Sequence, residues 1–388
     1  MSHRRKKEQF RNLYKIVILI LVAIISFLVI YLIFYSNKNE KVVYNHNSKI
    51  ATTTKTTKEE KNEFSMVVVG DCLIHRFVYE DAFLDNNTYS FDKMFTEVEP
   101  LIRNHDLAYY NQESIIGGKV LGLSAYPRFN SPEEIGDSMV NLGFNLVSLA
   151  NNHTLDKGEI GVTNSVNYWK TKPGVYYTGQ ALSNEERESN IKILEKSGIK
   201  YAFFSYTTVT NGLLPPSGKE YLTNIYSKEK AQNDINKVKD KVDIIIVAMH
   251  WGEEYTTIPN YEQKQIAKDL SDMGVNLVIG NHAHSIQPVE MIGNTLVFYA
   301  LGNFISAQNT VDKQTGVLVS LIVKKEKDGK ITFKNIKANI LYTYFNNARN
   351  FKVYPYTKLN DSLLNNYQVY YNKYKSVILK YTDKIEVE

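Results

Sequence analysis

The chain has 388 residues, 43% hydrophobic and 22% charged, which suits one large folded domain with appendages and excludes a wholly disordered polypeptide. Its formal charge of +5 belongs to the first fifteen residues, where Arg4, Arg5, Lys6, Lys7, Arg11 and Lys15 face the single acid Glu8. The remaining body is neutral, which argues against nucleic acid as a partner and against bulk attraction to a polyanion.

Residues 1–15 read as a basic cytoplasmic arm. Residues 16–35 are almost all apolar, with Ser26 the one clearly polar member, and a helix of that length spans a bilayer core of roughly 30 Å. No small-residue cleavage signature follows, so the expectation is an uncleaved, single-pass anchor rather than a removed signal peptide. The basic arm places the N-terminus in the cytoplasm and the main domain outside the cell membrane. Residues 36–62 are polar, with a Thr/Lys stretch, and read as a flexible extracytoplasmic spacer. A lone cysteine, Cys72, forbids an intrachain disulfide and reads as a small buried hydrophobe.

The folded domain is expected over 63–346. A β-rich run at 64–69 is stopped by Gly70, and 106–110 is a second strand. Ser131 as N-cap, Pro132 at the first helical position and Glu134 predict a helix to about 141, ended by Gly143. Strand character returns at 144–150, a helix follows Gly158, and 201–206 is a strand. Residues 227–241 read as a surface helix, and the apolar run 243–249 as a strand buried on both faces. A helix over 259–273 precedes strands at 275–279 and 295–301. The runs 317–325 and 331–342 pair around an Asp328-Gly329 turn. Strands alternating with helices imply an α/β protein, and the later strands suggest a second sheet, giving an α-β-β-α sandwich. The Tyr-, Lys- and Asn-rich segment 347–388 is compatible with packing on the domain, extending from it, or binding polymer through its aromatic rings, and packing is the preferred reading.

Five polar motifs fall where these strands end, the position at which open α/β sheets carry their working residues. Asp71 follows Gly70, and His75 could join it as a metal ligand, although Gly-Asp is also a common turn. Asn111-Gln112-Glu113 offers a carboxylate able to bridge two cations. Asn151-Asn152-His153 with Asp156 combines a hard-metal ligand with a histidine whose ring a carboxylate could orient for proton transfer; an Asn-rich capping turn is the alternative. His250-Trp251-Gly252, followed by Glu254, ends the most apolar strand, with Trp251 either packing or lining a cleft. His282-Ala283-His284 could serve two neighbouring metals, one histidine each. Together these residues supply ligands for a dinuclear divalent-metal site of Mn, Fe or Zn.

The order of these motifs resembles the bacterial capsule-synthesis CapA family, associated with poly-γ-glutamate capsules, within the calcineurin-like metallophosphatase superfamily. The resemblance runs from about Phe64 to Ser306. It includes Ala-Asn-Asn-His-x-x-Asp-x-Gly from Ala150, His-Trp-Gly-x-Glu-Tyr from His250, His-x-His-x-x-Gln-Pro-Val-Glu from His282, and Leu-Gly-Asn-Phe from Leu301. It implies a metallophosphatase-like fold with Asp71 and His284 on a first metal, Glu113 bridging, and Asn152, His250 and His282 on a second. His153 would be the general acid, helped by Asp156, with Asn111, Trp251, Glu254 and Asn303 assigned to substrate. Two departures stand out: Leu73 occupies the usual histidine place after Asp71, and Asn111-x-Glu113 replaces Gly-Asp-x-x-Asp. The resemblance implies a membrane-anchored protein of capsule or surface-polymer biosynthesis, partnered by an anionic polymer and by membrane-bound synthase or export components. If catalytic, it would hydrolyse a phosphoester or amide-like bond of a surface polymer. The alternatives are a non-catalytic scaffold for polymer or synthase, and a secreted metal-dependent phosphodiesterase unrelated to capsule.

Overall fold

Residues Ile244–His250 are apolar at every position but the last, and all seven are buried. Side chains along a strand alternate between faces, and here both faces meet apolar neighbours. Ile244, Ile246 and Ala248 enter one core, which also holds Phe64, Met66 and Val68 of the first strand. Ile245, Val247 and Met249 enter another, with Ile235, Ile266 and Leu270 of two helices. Val67 and Val69 point the opposite way, onto Ile135, Met139 and Trp169 of two further helices. Three cores separated by two sheets make a helix–sheet–sheet–helix arrangement in a mixed α/β protein, with each fully buried Val or Ile contributing roughly 1.5–3 kcal/mol.

The computed structural model describes residues 21, 24–28, 31, 62–86 and 88–388. The expected arm, anchor and spacer (1–15, 16–35 and 36–62) lie almost wholly outside the described residues. Residues 21, 24–28 and 31 are helical and exposed, and among the described residues no helix is long and apolar enough to cross a membrane. Glu59–Glu388 form one compact unit.

The strands are β1 (Glu63–Cys72), β2 (Leu107–Gln112), β3 (Leu146–Ser148), β4 (Tyr176–Thr178), β5 (Leu194–Lys196), β6 (Ile199–Thr207), β7 (Ile244–His250) and β8 (Leu277–Asn281). They continue with β9 (Val289–Ile292), β10 (Thr295–Phe298), β11 (Asn303–Ile305), β12 (Thr315–Lys325), β13 (Ile331–Asn346), β14 (Arg349–Pro355) and β15 (Glu386–Val387). One sheet runs β14-β13-β12-β1-β2-β3-β4, with β11 also on β1 and β15 on β13; the other runs β5-β6-β7-β8-β10-β9. The runs β1-β2-β3-β4 and β6-β7-β8 are parallel, so several strands deliver their carboxyl ends to one edge. Beyond Asn346 the chain stays in the same body. Strand β14 pairs with β13, and Tyr374 and Ile378 of the helix Tyr367–Ile378 are buried in the central core.

Strand β1 does not stop at Gly70. It runs on through Asp71 because the chain at 299–303 passes from the second sheet to the first and lies directly against it. The Asp71 amide donates to the Gly302 carbonyl at 3.0 Å, and the Leu301 amide to the Gly280 carbonyl at 3.2 Å. A Cβ on Gly70 would lie 1.9 Å from the Gly302 oxygen, and one on Gly280 would lie 1.9 Å from the Tyr299 oxygen. Both motif glycines are therefore demanded by close backbone approach. The same crossing ends β10 at Phe298, short of the expected 301.

The helix expected from Ser131 also begins later, at Glu133, with Pro132 as its N-cap. The Ser131 hydroxyl donates instead to Ser114 Oγ at 2.8 Å, and its amide to the Ile115 carbonyl at 2.9 Å. Both of its hydrogen-bond donors are spent on the strand-exit loop. Ser227, by contrast, does cap its helix, accepting from the Lys230 amide.

Gly280→Ala is expected to cost roughly 3 kcal/mol or more through overpacking against backbone. Gly329→Ala, in the β12–β13 turn at φ 85° with open space around it, costs only about 1 kcal/mol. Urea unfolding of the two variants measures the difference, and equal losses would contradict the close crossing.

Candidate metal centre

Four strand ends place the ligands. Asp71 is the penultimate residue of β1, Glu113 follows β2, His250 closes β7 and His282 follows β8. Glu113, His250 and His282 form one group with potential ligand atoms within 4.8 Å of one another; Asp71, Glu113 and His284 form a second. All five residues are buried, and Glu113 belongs to both groups.

Neither Glu113 oxygen has a hydrogen-bond partner. Glu113 Oε1 lies 3.8 Å from His250 Nε2 and 3.5 Å from His284 Nε2. Burial pushes the Glu113 carboxyl well up, against the opposing pull of His284. A buried carboxylate without donors is costly, and two divalent cations are what this shape would satisfy. Two of the histidines, His250 and His282, fit the same demand. His250 Nε2 and His282 Nδ1 lie 3.0 Å apart, so two ring nitrogens converge where one cation could sit. Burial, then the neighbouring imidazoles, pulls His250 well down and His282 to about 4, which favours the neutral rings that bind metal. Burial also pulls on His284, but Glu113 and Asp71 outweigh it and lift that ring to about 9.

The supporting residues set orientation. His284 Nδ1 donates to Asn303 Oδ1 at 2.9 Å, while the Asn303 amide is held by Gln308 Oε1 and the Lys313 carbonyl. That leaves His284 Nε2 facing Glu113, the usual way an outer partner fixes a ligand's tautomer. Asn111 Nδ2 donates to Asp71 Oδ1 at 2.8 Å and lies 3.3 Å from His250 Nδ1, tying the two groups together. Asn152 Oδ1 lies 2.9 Å from His250 Nε2, at the edge of the Glu113–His250–His282 group. His282 and His284 both have positive φ, 91° and 49°, a strained backbone for non-glycine residues that recurs at functional sites. The strain is held by the His282 amide donating to Asp71 Oδ2 at 3.1 Å and the Tyr255 amide to the Ala283 carbonyl at 2.6 Å.

Beside the metal groups lies a cleft of about 550 Å³ whose walls include His153, Asp156 and His284. His153 Nδ1 donates to Asp156 Oδ2 at 2.8 Å, and the same oxygen accepts the Phe129 amide at 2.6 Å. The ring of Phe129 packs edge-on against His153, centroids 4.6 Å apart. The imidazole is thereby held in one orientation.

Several expected site residues have other places. His75 is in neither metal group. Its Nδ1 sits 3.2 Å from the Leu73 carbonyl and accepts the Ala307 amide at 3.3 Å, and burial lowers its pKa to about 4; it forms cleft wall. Trp251, expected to pack or to line a cleft, is fully buried, donates to the Tyr299 carbonyl at 2.9 Å and stacks on that ring. Asn111 and Asn303 are buried among the ligands they hold rather than open to substrate. Glu254 is exposed on the cleft wall. The loop at 124–130, which supplies Phe129, and the tilted approach of the Tyr255 ring to His284, centroids 6.0 Å apart, were not legible in the motifs. The only available signal was Tyr255 standing at the end of His-Trp-Gly-x-Glu-Tyr.

Residues 65–308, more than half of the chain, match the family model described as "Bacterial capsule synthesis protein PGA_cap". The PGA biosynthesis protein CapA of Bacillus subtilis (strain 168) is 26% identical over 292 residues, covering 72% of this chain and 73% of that protein. The capsule biosynthesis protein CapA of Bacillus anthracis is 27% identical over 274 residues, covering 67% of this chain and 64% of the relative, a little under two thirds of its length. Among solved structures, the NAD nucleotidase NadN of Haemophilus influenzae aligns at 13% identity with a TM-score of 0.46, covering 84% of this chain and 64% of that one.

Glu113→Gln is expected to abolish binding at both positions, whereas His282→Ala abolishes one. Elemental analysis of the purified full chain, incubated with manganese and desalted, should find two metals in wild type, one in His282→Ala and almost none in Glu113→Gln. Full occupancy in Glu113→Gln would contradict the shared carboxylate.

Proposed function

Because the chain belongs to the bacterial capsule synthesis protein family PGA_cap, we propose that it acts in assembling an anionic capsule or surface polymer of poly-γ-glutamate type, as a metallophosphatase-like, metal-dependent hydrolase. The observation that carries the enzymatic reading is the pair of ligand groups sharing Glu113. The polymer assignment is supported by relatives whose names specify PGA and capsule biosynthesis.

Asp71, Glu113 and His284 would hold one divalent cation; Glu113, His250 and His282, with Asn152 beside them, would hold the other, and Mn, Fe and Zn all suit these donors. When bound, the cations would supply Lewis-acid stabilisation of developing negative charge and an activated water. His153 holds the proton for the leaving group. With Nδ1–H committed to Asp156, Nε2 is the atom left to deliver it, and charge on the ring is matched by the carboxylate. Phe129 covers one side of that ring and keeps water from it. The bond cleaved is a phosphoester or amide-like link of a cell-surface polymer, bound in the cleft that His153 and His284 share.

The apolar run 16–35 behind its basic arm supports a single-pass anchor in the cell membrane, with the N-terminus cytoplasmic and the main domain outside. The partners of this reading are a membrane-bound polymer synthase or its export components.

The test compares wild type with His153→Asn, both manganese-loaded, on a simple phosphodiester and on poly-γ-glutamate, with capsule measured in cells carrying each. His153→Asn should retain both metals yet slow polymer cleavage about 10²-fold or more, and capsule should change accordingly. Efficient cleavage of the simple diester alone, with capsule unaffected, would indicate a general phosphodiesterase. Metal bound with no turnover of either substrate, and capsule intact in His153→Asn, would leave a scaffold.

A further inference from the structure

The loop at 124–130 is a rigid presenter of one side chain. Ser124 and Asn130 exchange backbone hydrogen bonds at 3.1 and 2.9 Å, and the Arg128 amide donates to the Ala125 carbonyl at 3.1 Å. Buried Asn130 ties the loop down by donating to the Gly118 and Gly122 carbonyls at 3.0 and 2.8 Å. Phe129 is fixed twice over: its amide is on Asp156, and its ring lies between His75 and His153, with centroids 5.3 and 4.6 Å away. Its neighbour Arg128 is exposed and lines the same cleft as His153 and His284. Arg76, Arg103 and Arg187 each rest on a carboxylate, of Glu80, Glu99 and Asp234. Arg128 makes no ion pair among the described residues.

The charges around the cleft are few. Asp156 is already engaged by His153 and Phe129, and Glu254 is an exposed acid on the wall. Arg128 is the one lysine or arginine among the described cleft-lining residues. Lys313 Nζ sits 3.6 Å from the ring centroid of Tyr255, another wall residue, and adds positive charge behind it. An exposed guanidinium carried on a locked loop, with no ion pair among the described residues, is suited to a bidentate oxyanion.

We infer that Arg128 is a substrate-binding residue that receives an anionic group, a carboxylate or a phosphate oxyanion, next to the bond that the site cleaves. The inference rests on the hydrolytic reading of the cleft. Because Phe129 follows Arg128 and contacts the His153–Asp156 pair directly, an anion on Arg128 places its own chain beside the proton donor. Arg128 thus sets register: it anchors a charged group of the polymer while His153 meets the leaving atom. A neutral polymer would gain nothing from this wall.

The experiment uses the manganese-loaded full chain as wild type, Arg128→Gln and Arg128→Lys. It measures binding of a fluorescent poly-γ-glutamate oligomer and of a glycerol-phosphate oligomer of equal length, with metal content determined on the same samples. Arg128→Gln should weaken one or both oligomers on the order of tenfold, the loss of a charge-assisted contact, with metal content unchanged. Arg128→Lys should recover only part of that loss. The oligomer that weakens identifies the anion as carboxylate or phosphate. Unchanged affinity for both in Arg128→Gln, or no binding of either by wild type, would overturn the inference. Absence of metal from wild type would instead strike the metal-centre reading, and the oligomer affinities would still decide the role of Arg128.

Discussion

A carboxylate is buried where the strand ends meet, with the imidazole of His284 3.5 Å away but no hydrogen bond to either of its oxygens. Glu113 is fully buried and neither oxygen has a donor, a condition that costs several kcal/mol unless the group is protonated or meets a cation. Its surroundings are arranged for the second remedy. Two histidine-containing groups share it, and Asn111, Asn303 and Asp71 spend their hydrogen bonds orienting those histidines and one another. Three buried imidazoles and two buried carboxylates thus face one another at the strand ends.

The two sheets exist in a form that permits this meeting. Ligands come from β1 and β2 in one sheet and from β7 and β8 in the other, so neither sheet alone could hold both groups. They are brought together by the chain at 299–303, which leaves β10 and joins β1 as β11. That crossing requires bare backbone at Gly70 and Gly280, each one or two residues before a ligand. The glycines in these motifs thus serve chain proximity, and through it ligand geometry. The histidines at 282 and 284 follow Gly280 with positive φ, and the His282 amide is held by Asp71 Oδ2.

Much of this was legible because strand ends announce themselves. The apolar run before His250, and the polar Asn-Asn-His and His-x-His motifs after apolar runs, pointed to their places at the edge. Glu113 was legible for the same reason, and the structure places it in both candidate ligand groups. His75 was not, because chain spacing cannot say where a ring turns in the loop after a strand, and here the Leu73 carbonyl and Ala307 amide claim it. Trp251 next to a ligand looked like cleft wall, yet the sheet's alternation sends it into the core against Tyr299. Asn111 and Asn303 carry the right chemistry one layer back from where it was expected. The Phe129 loop carried no motif, and strands as short as β4, β11 and β15 take their pairing from tertiary neighbours rather than from their own periodicity.

Anomalous diffraction from crystals of the manganese-loaded protein tests the central claim most directly. Two peaks about 3.5–4 Å apart, one on each side of the Glu113 carboxylate, with His284 and Asp71 on one and His250 and His282 on the other, is the result this arrangement predicts. A single peak, or two that do not share Glu113, would contradict it.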